Sequence, residues 1–386
     1  MKNFCLRLTS GLAVAGLWAS AAHASLLFMG AYPSSLLVFD EAKGAIVDRI
    51  PLTTGLPTSI RLSMDKKTIY VLTNDHAGVE VVDVATRKVT NHFVLNDATH
   101  KFRLNGGAPD PDGKLLYTTT TQITKQADRY EIGKPKYTIV DLAQQKIAKT
   151  VDQPGADGSA DAEGAAGGRG AAGAGGGGGG GGGRGGGGFE VSPDGKYLYQ
   201  FGSTVTVLNA ADFSLVERIQ LAQPDAPAME NLGLGGLLEA ISDPGQRVSI
   251  FNYSDPIIHN RVFGLARFDL NTRKFDFTPI GPAPVAMTGL HVTPDKKSAY
   301  TVSTNGTGGN KRCEFWGLDL TTSRLTRTGE FPCRTRYSFG MSSDGKKLYI
   351  SGAGFEIEVY DAVTFKHEAT WDLGNDMTGG GLVVLP

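Results

Sequence analysis

The residues of this chain whose chemistry suits binding or catalysis are concentrated in four polar segments. Each segment combines at least two of the imidazole, guanidinium, phenol and carboxylate groups. Such groups bind anions and hydrogen-bonding ligands or, when aimed at one point, transfer protons. The segments are residues 99–103, 126–136, 253–261 and 334–337. The candidate ligand- or partner-binding residues in them are His100, Lys101, Arg103, Asp128, Arg129, Tyr130, His259, Arg261, Arg334, Arg336 and Tyr337.

The catalytic residues stay unassigned, because the chain has none of the common enzyme signatures. It contains no G-x-S-x-G, no H-E-x-x-H, no P-loop and no plausible dinucleotide-binding fingerprint, because no strand–helix unit accompanies the glycine tract. Two cysteines outside the N-terminal segment are too few for a tetrahedral zinc site, and no C-x-x-C-H is present for covalent haem. We therefore expect no metal and no cofactor in this chain.

The overall charge argues against one class of partner. Lys and Arg number 38 against 39 Asp and Glu. Without a net positive charge the protein has no long-range field to attract nucleic acid. We therefore expect no nucleic-acid partner.

The first 24 residues have the organisation of a signal peptide. Lys2 and Arg7 precede an apolar stretch that ends in Ala22-His23-Ala24, an A-x-A cleavage site. The alternative is a membrane anchor, but the apolar run is too short to span a bilayer. We therefore expect cleavage before Ser25, a periplasmic or secreted chain, and no membrane insertion after the signal is removed.

An internal repeat predicts the elements that position the polar segments. Each copy has an Asp-Gly-Lys type of turn, an apolar strand, and a second apolar strand that ends in Asp before another turn. Five of the six turn copies carry tyrosine five residues after the turn position. Successive turn positions lie 47, 82, 50, 51 and 49 residues apart, at Asp65, Asp112, Asp194, Pro244, Asp295 and Asp344. A β-rich repeat of about 50 residues is typical of one blade of a β-propeller.

The repeat count and the chain ends predict an all-β, seven-bladed β-propeller over residues 25–386. Six copies define six blades, and residues 26–52 supply three strands of a first blade that lacks its innermost strand. The last residues, GGLVVLP, provide one spare strand. Pairing of this C-terminal strand with the N-terminal blade closes the ring and leaves no strand edge unpaired.

The 82-residue interval contains an insertion. Residues 155–188 include 20 glycines among 34 residues. Because such a tract has few side chains to bury, we expect a disordered loop between the last strand of the third blade and the first strand of the fourth.

The two remaining cysteines predict a disulfide. Cys313 falls at the start of the third strand of the sixth blade and Cys333 at the end of its fourth strand. The two residues are then opposite or nearly opposite across a hairpin, within disulfide distance. An exported protein keeps such a pair oxidised.

The four polar segments fall on one face of the predicted propeller. The second-to-third loops and the blade-to-blade connections share this face, whereas the Asp-Gly-Lys turns occupy the other. Together the segments would rim a polar pocket at the central channel, where a rigid scaffold commonly presents functional residues. The alternative for each single residue is a solvated loop without a ligand.

Two stretches, YVLTN at Tyr70 and YTVSTN at Tyr300, resemble the exported bacterial YVTN-type propellers. A closer resemblance is to the β subunit of quinohemoprotein amine dehydrogenase, another seven-bladed exported propeller. It is carried by the third blade, PDPDGKLLY followed by KPKYTIVDLAQQKIAK, and by the final blade, YSFGMSSDGKKLYISGAGFEIEVYDAVTFKHEATWDLGN. The resemblance implies a propeller without its own cofactor, whose partners are a dihaem subunit and a small quinone-bearing subunit. The glycine insertion and the cysteine pair depart from that family.

Two functions are therefore compatible with the sequence. The first is an exported, non-catalytic propeller that binds a protein partner or small ligand, as a β-type subunit of an amine dehydrogenase-like complex would. The second is a propeller enzyme, such as a lactonase-like hydrolase, with its active site at the central channel. The sequence favours the first, because repeats are evident and a catalytic signature is not.

Deletion of residues 156–186 tests the assignment of the insertion. We expect the melting temperature to stay within a few degrees of that of the full chain, because loop-closure entropy changes only logarithmically with loop length. Circular dichroism against temperature measures the change. A collapse in stability would show that the tract packs against the propeller.

Overall fold

The computed structural model describes residues 24–73, 77–153, 188–202, 204–221, 229–237, 244–255, 257, 260–287, 289–306, 308–334, 337–352, 354–377 and 381–386. These residues are almost entirely β-structure, in seven antiparallel sheets. The seven-bladed β-propeller predicted from the repeat is confirmed.

Each sheet is one blade, and the blades are numbered in chain order. The first three contain β1 (Leu26–Ala31), β2 (Ser35–Asp40), β3 (Ala45–Pro51), β4 (Pro57–Leu62), β5 (Thr68–Thr73), β6 (Gly78–Asp83), β7 (Lys88–Val94), β8 (His100–Pro109), β9 (Leu115–Lys125), β10 (Tyr130–Ile132), β11 (Lys136–Asp141) and β12 (Lys146–Asp152). The other four contain β13 (Phe189–Val191), β14 (Tyr197–Gln200), β15 (Thr204–Asn209), β16 (Leu215–Gln220), β17 (Glu230–Leu237), β18 (Gln246–Ser254), β19 (Arg261–Asp269), β20 (Lys274–Pro282), β21 (Ala286–Met287), β22 (His291–Val292), β23 (Ser298–Asn305), β24 (Arg312–Asp319), β25 (Arg324–Phe331), β26 (Tyr337–Met341), β27 (Lys347–Gly352), β28 (Glu356–Asp361) and β29 (His367–Asp372), and the chain ends with β30 (Leu382–Leu385). Blade 1 is β1–β3 with β30, blade 2 is β4–β7, blade 3 is β8–β12, blade 4 is β13–β16, blade 5 is β17–β20, blade 6 is β21–β25 and blade 7 is β26–β29.

The C-terminal strand closes the ring as predicted. β30 pairs with β1 in an antiparallel register that runs from Met29 opposite Leu382 to Leu26 opposite Leu385. β30 also contacts β4 and β26, and β8 contacts β4 and β13, so the first strands of neighbouring blades lie side by side. These strands form the inner ring of the propeller.

The hydrophobic core consists of seven clusters, one between each pair of neighbouring blades. The cluster between blades 7 and 1 contains Phe39, Tyr349 and Leu373, for example. Successive residues of a strand point to opposite faces of the blade, so each strand contributes side chains to the interfaces with both neighbouring blades. Each blade is therefore covered on both faces, and no blade can bury its apolar residues without its two neighbours.

One turn recurs at the end of the third strand in all seven blades. In blade 7, Asp361 Oδ1 accepts hydrogen bonds from the backbone N–H groups of Val363 and Thr364. Four residues after the Asp or Asn, the backbone is left-handed in every blade, at Gly44, Arg87, Gln145, Phe213, Arg273, Ser323 and Phe365. Asp and Asn side chains favour such turns because they bond to the following backbone N–H groups.

The register of blade 5 differs by one residue from the sequence-based alignment. In five other blades the second strand carries a tyrosine that is at most 4% exposed. Each of these tyrosines lies opposite the residue two positions before the last residue of the third strand. They are Tyr70, Tyr117, Tyr199, Tyr300 and Tyr349. In blade 5 this position is Val248, opposite Arg267. The sequence spacing of five residues from the turn position Pro244 instead predicts Ser249 at the tyrosine position. The shift brings Arg247 to a position that is aliphatic in the other copies, where the residues are Ile69, Leu116, Leu198, Ala299 and Leu348.

The predicted disulfide between Cys313 and Cys333 is confirmed. The two Cα atoms are 5.2 Å apart, within the usual range for this bond. Cys313 on β24 is directly opposite Phe331, so Cys333 lies two residues beyond the direct cross-strand position. The bond therefore ties β24 to the connection that leads into blade 7.

The strands that flank the glycine tract have the predicted arrangement. β12 ends at Asp152 and β13 begins at Phe189, so the tract joins the fourth strand of blade 3 to the first strand of blade 4. Residues 154–187 themselves, and the signal segment up to residue 23, lie outside the described residues.

A buried carboxylate holds the connection between blades 1 and 2. Glu80 on β6 is 0% exposed. Its Oε1 accepts hydrogen bonds from the backbone N–H groups of Thr53 at 2.6 Å and Thr54 at 2.7 Å, and from the Thr54 hydroxyl at 2.9 Å. Bonds to an ionised acceptor are stronger than neutral ones. Glu80 therefore fixes the path of the chain into β4 and the inner ring.

Replacement of Glu80 by alanine tests this role. We expect the free energy of unfolding to fall by about 3 kcal/mol, because the buried donors of Thr53 and Thr54 lose their acceptor. Urea unfolding followed by tryptophan fluorescence measures the change. The matched control is Glu368→Ala at an exposed position, for which a change within about 0.5 kcal/mol is expected. Equal effects of the two substitutions would contradict the role of Glu80.

Candidate functional site on the loop-rich face

Blade 3 extends beyond the other blades on the face that bears the second-to-third loops, called the loop-rich face here. β8 has 10 residues and β9 has 11, whereas the matching strands of blade 2 have 6 each. At its outer end β9 pairs with β8 on one side and with β10 on the other. These three strand ends form a small projecting sheet, called the blade 3 extension.

One side of the blade 3 extension carries basic and apolar side chains. Lys101 and Ile132 are both opposite Ile123, and Tyr130 is opposite Lys125. Residues directly opposite one another in an antiparallel sheet share a face, and alternate residues of a strand point the same way. The resulting cationic face consists of Lys101, Arg103, Lys125, Tyr130 and Ile132.

The side chains of the cationic face are exposed. Tyr130 is 59% exposed and Ile132 is 71% exposed, and the three basic residues are exposed as well. Within the part of the chain that the structure describes, Lys101, Arg103 and Lys125 form no side-chain ion pair. Exposed apolar side chains next to unneutralised cations are typical of an interaction surface.

His100 points to the other side of the blade 3 extension and is bound within its own turn. Its Nδ1 lies 3.0 Å from Asp97 Oδ2. Asp97 also accepts hydrogen bonds from the backbone N–H groups of Thr99 and His100. The bond from the Thr99 N–H and then that from the His100 side chain hold the pKa of Asp97 well below its ordinary value. The Asp97 carboxylate is therefore ionised and fixes the start of β8.

Asp128 and Arg129 occupy the tip between β9 and β10. Arg129 Nη1 lies 3.6 Å from Asp128 Oδ2, and both side chains are exposed. The Arg129 carbonyl accepts a hydrogen bond from the Gln126 N–H at 2.8 Å. The pair is therefore part of the turn beside the cationic face, and its opposite charges offset each other.

The hairpin of blade 5 places Arg261 on the same loop-rich face. Arg261 Nη2 donates to Asn252 Oδ1 at 2.9 Å, across β18 and β19. Ile257 at the tip is 83% exposed. His259, predicted here as a binding residue, lies outside the described residues.

Arg334 and Tyr337 are held in packing contacts between blades 6 and 7. Arg334 Nη2 donates to Glu358 Oε1 at 2.6 Å and to Glu356 Oε2 at 3.1 Å. Tyr337 is 2% exposed, with its hydroxyl 3.1 Å from Thr304 Oγ1. Arg336, between them, lies outside the described residues. Arg334 and Tyr337 thus join blade 7 to the preceding connection, while the cationic face lies on blade 3.

Glu358 occupies the same repeat position in blade 7 as Glu80 in blade 2, three residues before the Asp that ends the third strand. Besides Arg334, it lies 2.7 Å from His367 Nε2 and 2.7 Å from Thr370 Oγ1. Partial burial alone would raise the pKa of Glu358, but the bonds from Thr370 and His367 and the charge of Arg334 bring it below its ordinary value. Both glutamates hold the connection that enters their blade.

One functional-looking pair was missed by the sequence analysis. Arg247 is 1% exposed, and its Nη2 lies 3.0 Å from Glu190 Oε2 on the inner strand of blade 4. Its Nη1 donates to the carbonyls of Pro244 and Gln246. The sequence offered no signal for Arg247, because the spacing from Pro244 places it one residue before the aliphatic position and only the register of blade 5 brings it there. A buried pair of this kind offsets its own charges.

Another inner-strand residue, His291, is engaged with the next blade. Its Nε2 lies 3.0 Å from the Phe339 carbonyl oxygen, so this nitrogen carries the proton and donates it. Burial lowers the pKa of His291, although the bond to Phe339 acts in the other direction. The imidazole is therefore neutral and packed between blades 6 and 7.

The loop-rich face also carries most of the large apolar side chains that are exposed in the described residues. They are Tyr32, Tyr130, Ile132, Ile257, Val285 and Phe355. Among the described residues no group of three or more His, Cys, Asp or Glu side chains is arranged to hold a metal ion. In the same residues, no helix has the length and hydropathy to cross a membrane.

The structure is similar to solved propellers of several kinds. A protein of unknown function from Desulfotomaculum acetoxidans is 12% identical with a TM-score of 0.54, covering 94% of this chain and 98% of that chain. Hydrazine synthase from Kuenenia stuttgartiensis is 16% identical with a TM-score of 0.50, covering 85% and 95%. Apo AztD from Citrobacter koseri is 13% identical with a TM-score of 0.50, covering 94% and 98%. No family model and no curated protein matches the chain. These likenesses show the seven-bladed fold alone.

The pH dependence of stability tests the role of Glu358. Because its folded-state pKa lies below the ordinary value of 4.5, its contribution is fully present above pH 4.5 and is lost as the pH falls through the lower folded-state pKa. We expect the stability advantage of the wild type over Glu358→Gln to shrink across this acidic range. Urea unfolding at a series of pH values measures it.

The control for this experiment is Glu368→Gln, at an exposed position of the neighbouring strand β29. Its stability difference from the wild type should stay constant across the same pH range. A constant difference for Glu358→Gln as well would contradict the assignment.

Proposed function

We propose that this chain is an exported, non-catalytic β-propeller that binds a protein partner through the cationic face of the blade 3 extension. The observation that carries the proposal is the exposure of Lys101, Arg103 and Lys125 beside Tyr130 and Ile132. Aromatic anchors surrounded by charge are typical of protein interfaces.

The chemistry of the cationic face selects the kind of partner. Its three cations lie outside any internal ion pair among the described residues, so they match an acidic surface. A projecting sheet offers a flat face, whereas small ligands are usually enclosed in concave sites. The partner is therefore a protein with an acidic patch and an apolar position that receives Tyr130.

The engagement of the titratable groups favours binding over catalysis. His100 is bound to Asp97, Arg334 to Glu358, and Glu190 to Arg247. An active site needs such groups to converge on a reacting atom, whereas each of these is paired within its own part of the ring. This distribution supports a binding subunit over a lactonase-like hydrolase.

The sequence resemblance gives the partner a more specific identity. The blade 3 segments that resemble the β subunit of quinohemoprotein amine dehydrogenase contain the start of β9 and all of β11, on either side of the extension in the sequence. We therefore assign the partner role to a dihaem subunit and a small quinone-bearing subunit, with all cofactors in those chains. The propeller would contribute a rigid docking surface.

Purification of the native protein from the exported fraction of its own cells tests this proposal. We expect a complex with haem absorbance at low ionic strength, which weakens as salt rises because the surface charges are screened. Lys101→Glu, Arg103→Glu and Tyr130→Ala, combined in one chain, should reduce the haem recovered per propeller about tenfold or more. Absorbance and light scattering measure both quantities.

The matched control reverses two charges on the opposite face, Lys146→Glu and Lys274→Glu, at exposed first residues of fourth strands. It should retain the partner, and both variants should keep the wild-type melting temperature. A solitary, colourless wild-type protein would overturn the subunit assignment. Full haem recovery with the triple variant would overturn the cationic face as the docking surface.

A further inference from the structure

A polar cluster lies at the seam where blade 1 meets blade 7. Ser25, which directly precedes β1, is 1% exposed. Its N–H donates to Glu41 Oε2 at 3.0 Å, and its carbonyl accepts from the Glu41 N–H at 3.0 Å. Ser25 and Glu41 thus continue the pairing of β1 with β2 by one step.

The same serine is bound to blade 7 through its hydroxyl. Ser25 Oγ accepts a hydrogen bond from the Ser343 N–H at 3.0 Å and lies 3.1 Å from Ser343 Oγ. The N–H, the carbonyl and the hydroxyl of Ser25 are therefore all engaged. Such complete pairing fixes both the position of this residue and the direction of its nitrogen.

The Glu41 carboxylate is placed between two nitrogens. Its side chain is 7% exposed, and Lys347 Nζ lies 3.1 Å from Oε1, on the side opposite the Ser25 nitrogen. Tyr349, fully buried nearby, has its pKa raised by burial and by the negative charge of Glu41. A second cation at the Ser25 nitrogen would stabilise this nearly buried carboxylate further.

The predicted signal cleavage supplies that cation. Hydrolysis of the bond between Ala24 and Ser25 by a signal peptidase consumes one water. The new carboxylate leaves on Ala24, and the Ser25 nitrogen becomes an amine that is protonated near neutral pH. We propose that Glu41 binds the α-ammonium group of Ser25, while Ser343 holds the Ser25 hydroxyl and Lys347 holds the other oxygen of the Glu41 carboxylate, so that removal of the signal peptide completes the seam between blades 1 and 7.

The burial of Ser25 also fixes the order of events. A peptidase needs an extended and accessible segment, but Ser25 is enclosed once the ring has closed. Cleavage therefore precedes closure of the seam. The site is specific for a chain that begins at Ser25, because an additional N-terminal residue would displace the ammonium group from Glu41.

This inference rests on the predicted export signal but not on partner binding. The haem recovery experiment and the N-terminal experiment therefore fail independently. A negative haem recovery experiment would leave the inference about the seam unaffected. A negative N-terminal experiment would leave the proposal about the cationic face on blade 3 unaffected.

Chains with defined first residues test the site. The full propeller is released from a removable fusion so that it starts either at Ser25 or at Ala24, each with Glu41 and with Glu41→Gln. We expect the Ser25 chain to melt at a higher temperature than the Ala24 chain. In the Glu41→Gln background this difference should disappear, as expected for two groups that interact directly.

Periodate gives a second readout that depends on the N-terminal serine itself. The reagent oxidises the amino alcohol of an N-terminal serine to an aldehyde, which mass spectrometry detects. In the folded Ser25 chain the reaction should be at least about tenfold slower than in urea, because the group is enclosed. Glu41→Gln should recover much of the unfolded rate.

Three results would overturn the inference. One is an N-terminus other than Ser25 on the exported wild-type protein. Another is equal periodate reactivity of the folded and unfolded Ser25 chains. The third is a melting difference between the Ser25 and Ala24 chains that persists with Glu41→Gln.

Discussion

The pairing of β1 with β30 is the constraint on which the rest of the structure depends. Leu26 opposite Leu385 joins the two ends of the chain in one sheet. Without this strand, blade 1 has an open inner edge and the apolar clusters at its two interfaces lose part of their cover. Each cluster needs two blades, so the ring is stable only when it is closed. The contacts of Ser25 and Glu41 with blade 7 lie at the same seam and reinforce it.

In a closed ring, the strand centres must fit the neighbouring blades, whereas the strand ends and loops can vary in length and residue type. Strand centres face neighbouring blades and are filled with aliphatic and aromatic residues. Strand ends on the loop-rich face do not take part in this packing between blades, so β8 and β9 can be longer than the matching strands without disturbing the core. Two ionisable side chains in the interior have close partners: Arg247 pairs with Glu190, and Glu80 Oε1 accepts hydrogen bonds from Thr53 and Thr54. Among the described residues the basic side chains of the cationic face form no ion pair, and in this they differ from the charged residues of the interior.

The sequence predicted the features that depend on local and repeated chemistry. The Asp turns, the blade count, the closure of the ring by the C-terminal strand and the Cys313–Cys333 bond all follow from residue type and spacing. Apart from the ring closure and the disulfide, the sequence did not predict contacts between residues in different parts of the chain. The pairing of Arg334 with Glu358, the burial of Tyr337 and the one-residue shift in blade 5 each depend on how two blades pack. The division of the described candidate residues between packing and exposure therefore required the structure, while His259 and Arg336 lie outside the described residues.

That division bears directly on function. A propeller supports many activities, so the fold does not choose between an enzyme and a binding subunit. An enzyme would hold its charged groups together around a reacting atom, and it would protect them from neutralisation by neighbours. Here His100, Arg334 and Glu190 have local partners in three different parts of the ring, while Lys101 and Arg103 are exposed side by side with Tyr130. Cations without an ion pair among the described residues retain their attraction for an external carboxylate, and the backbone of the sheet that carries them is already ordered. This contrast is the physical basis for proposing association with an acidic protein over catalysis.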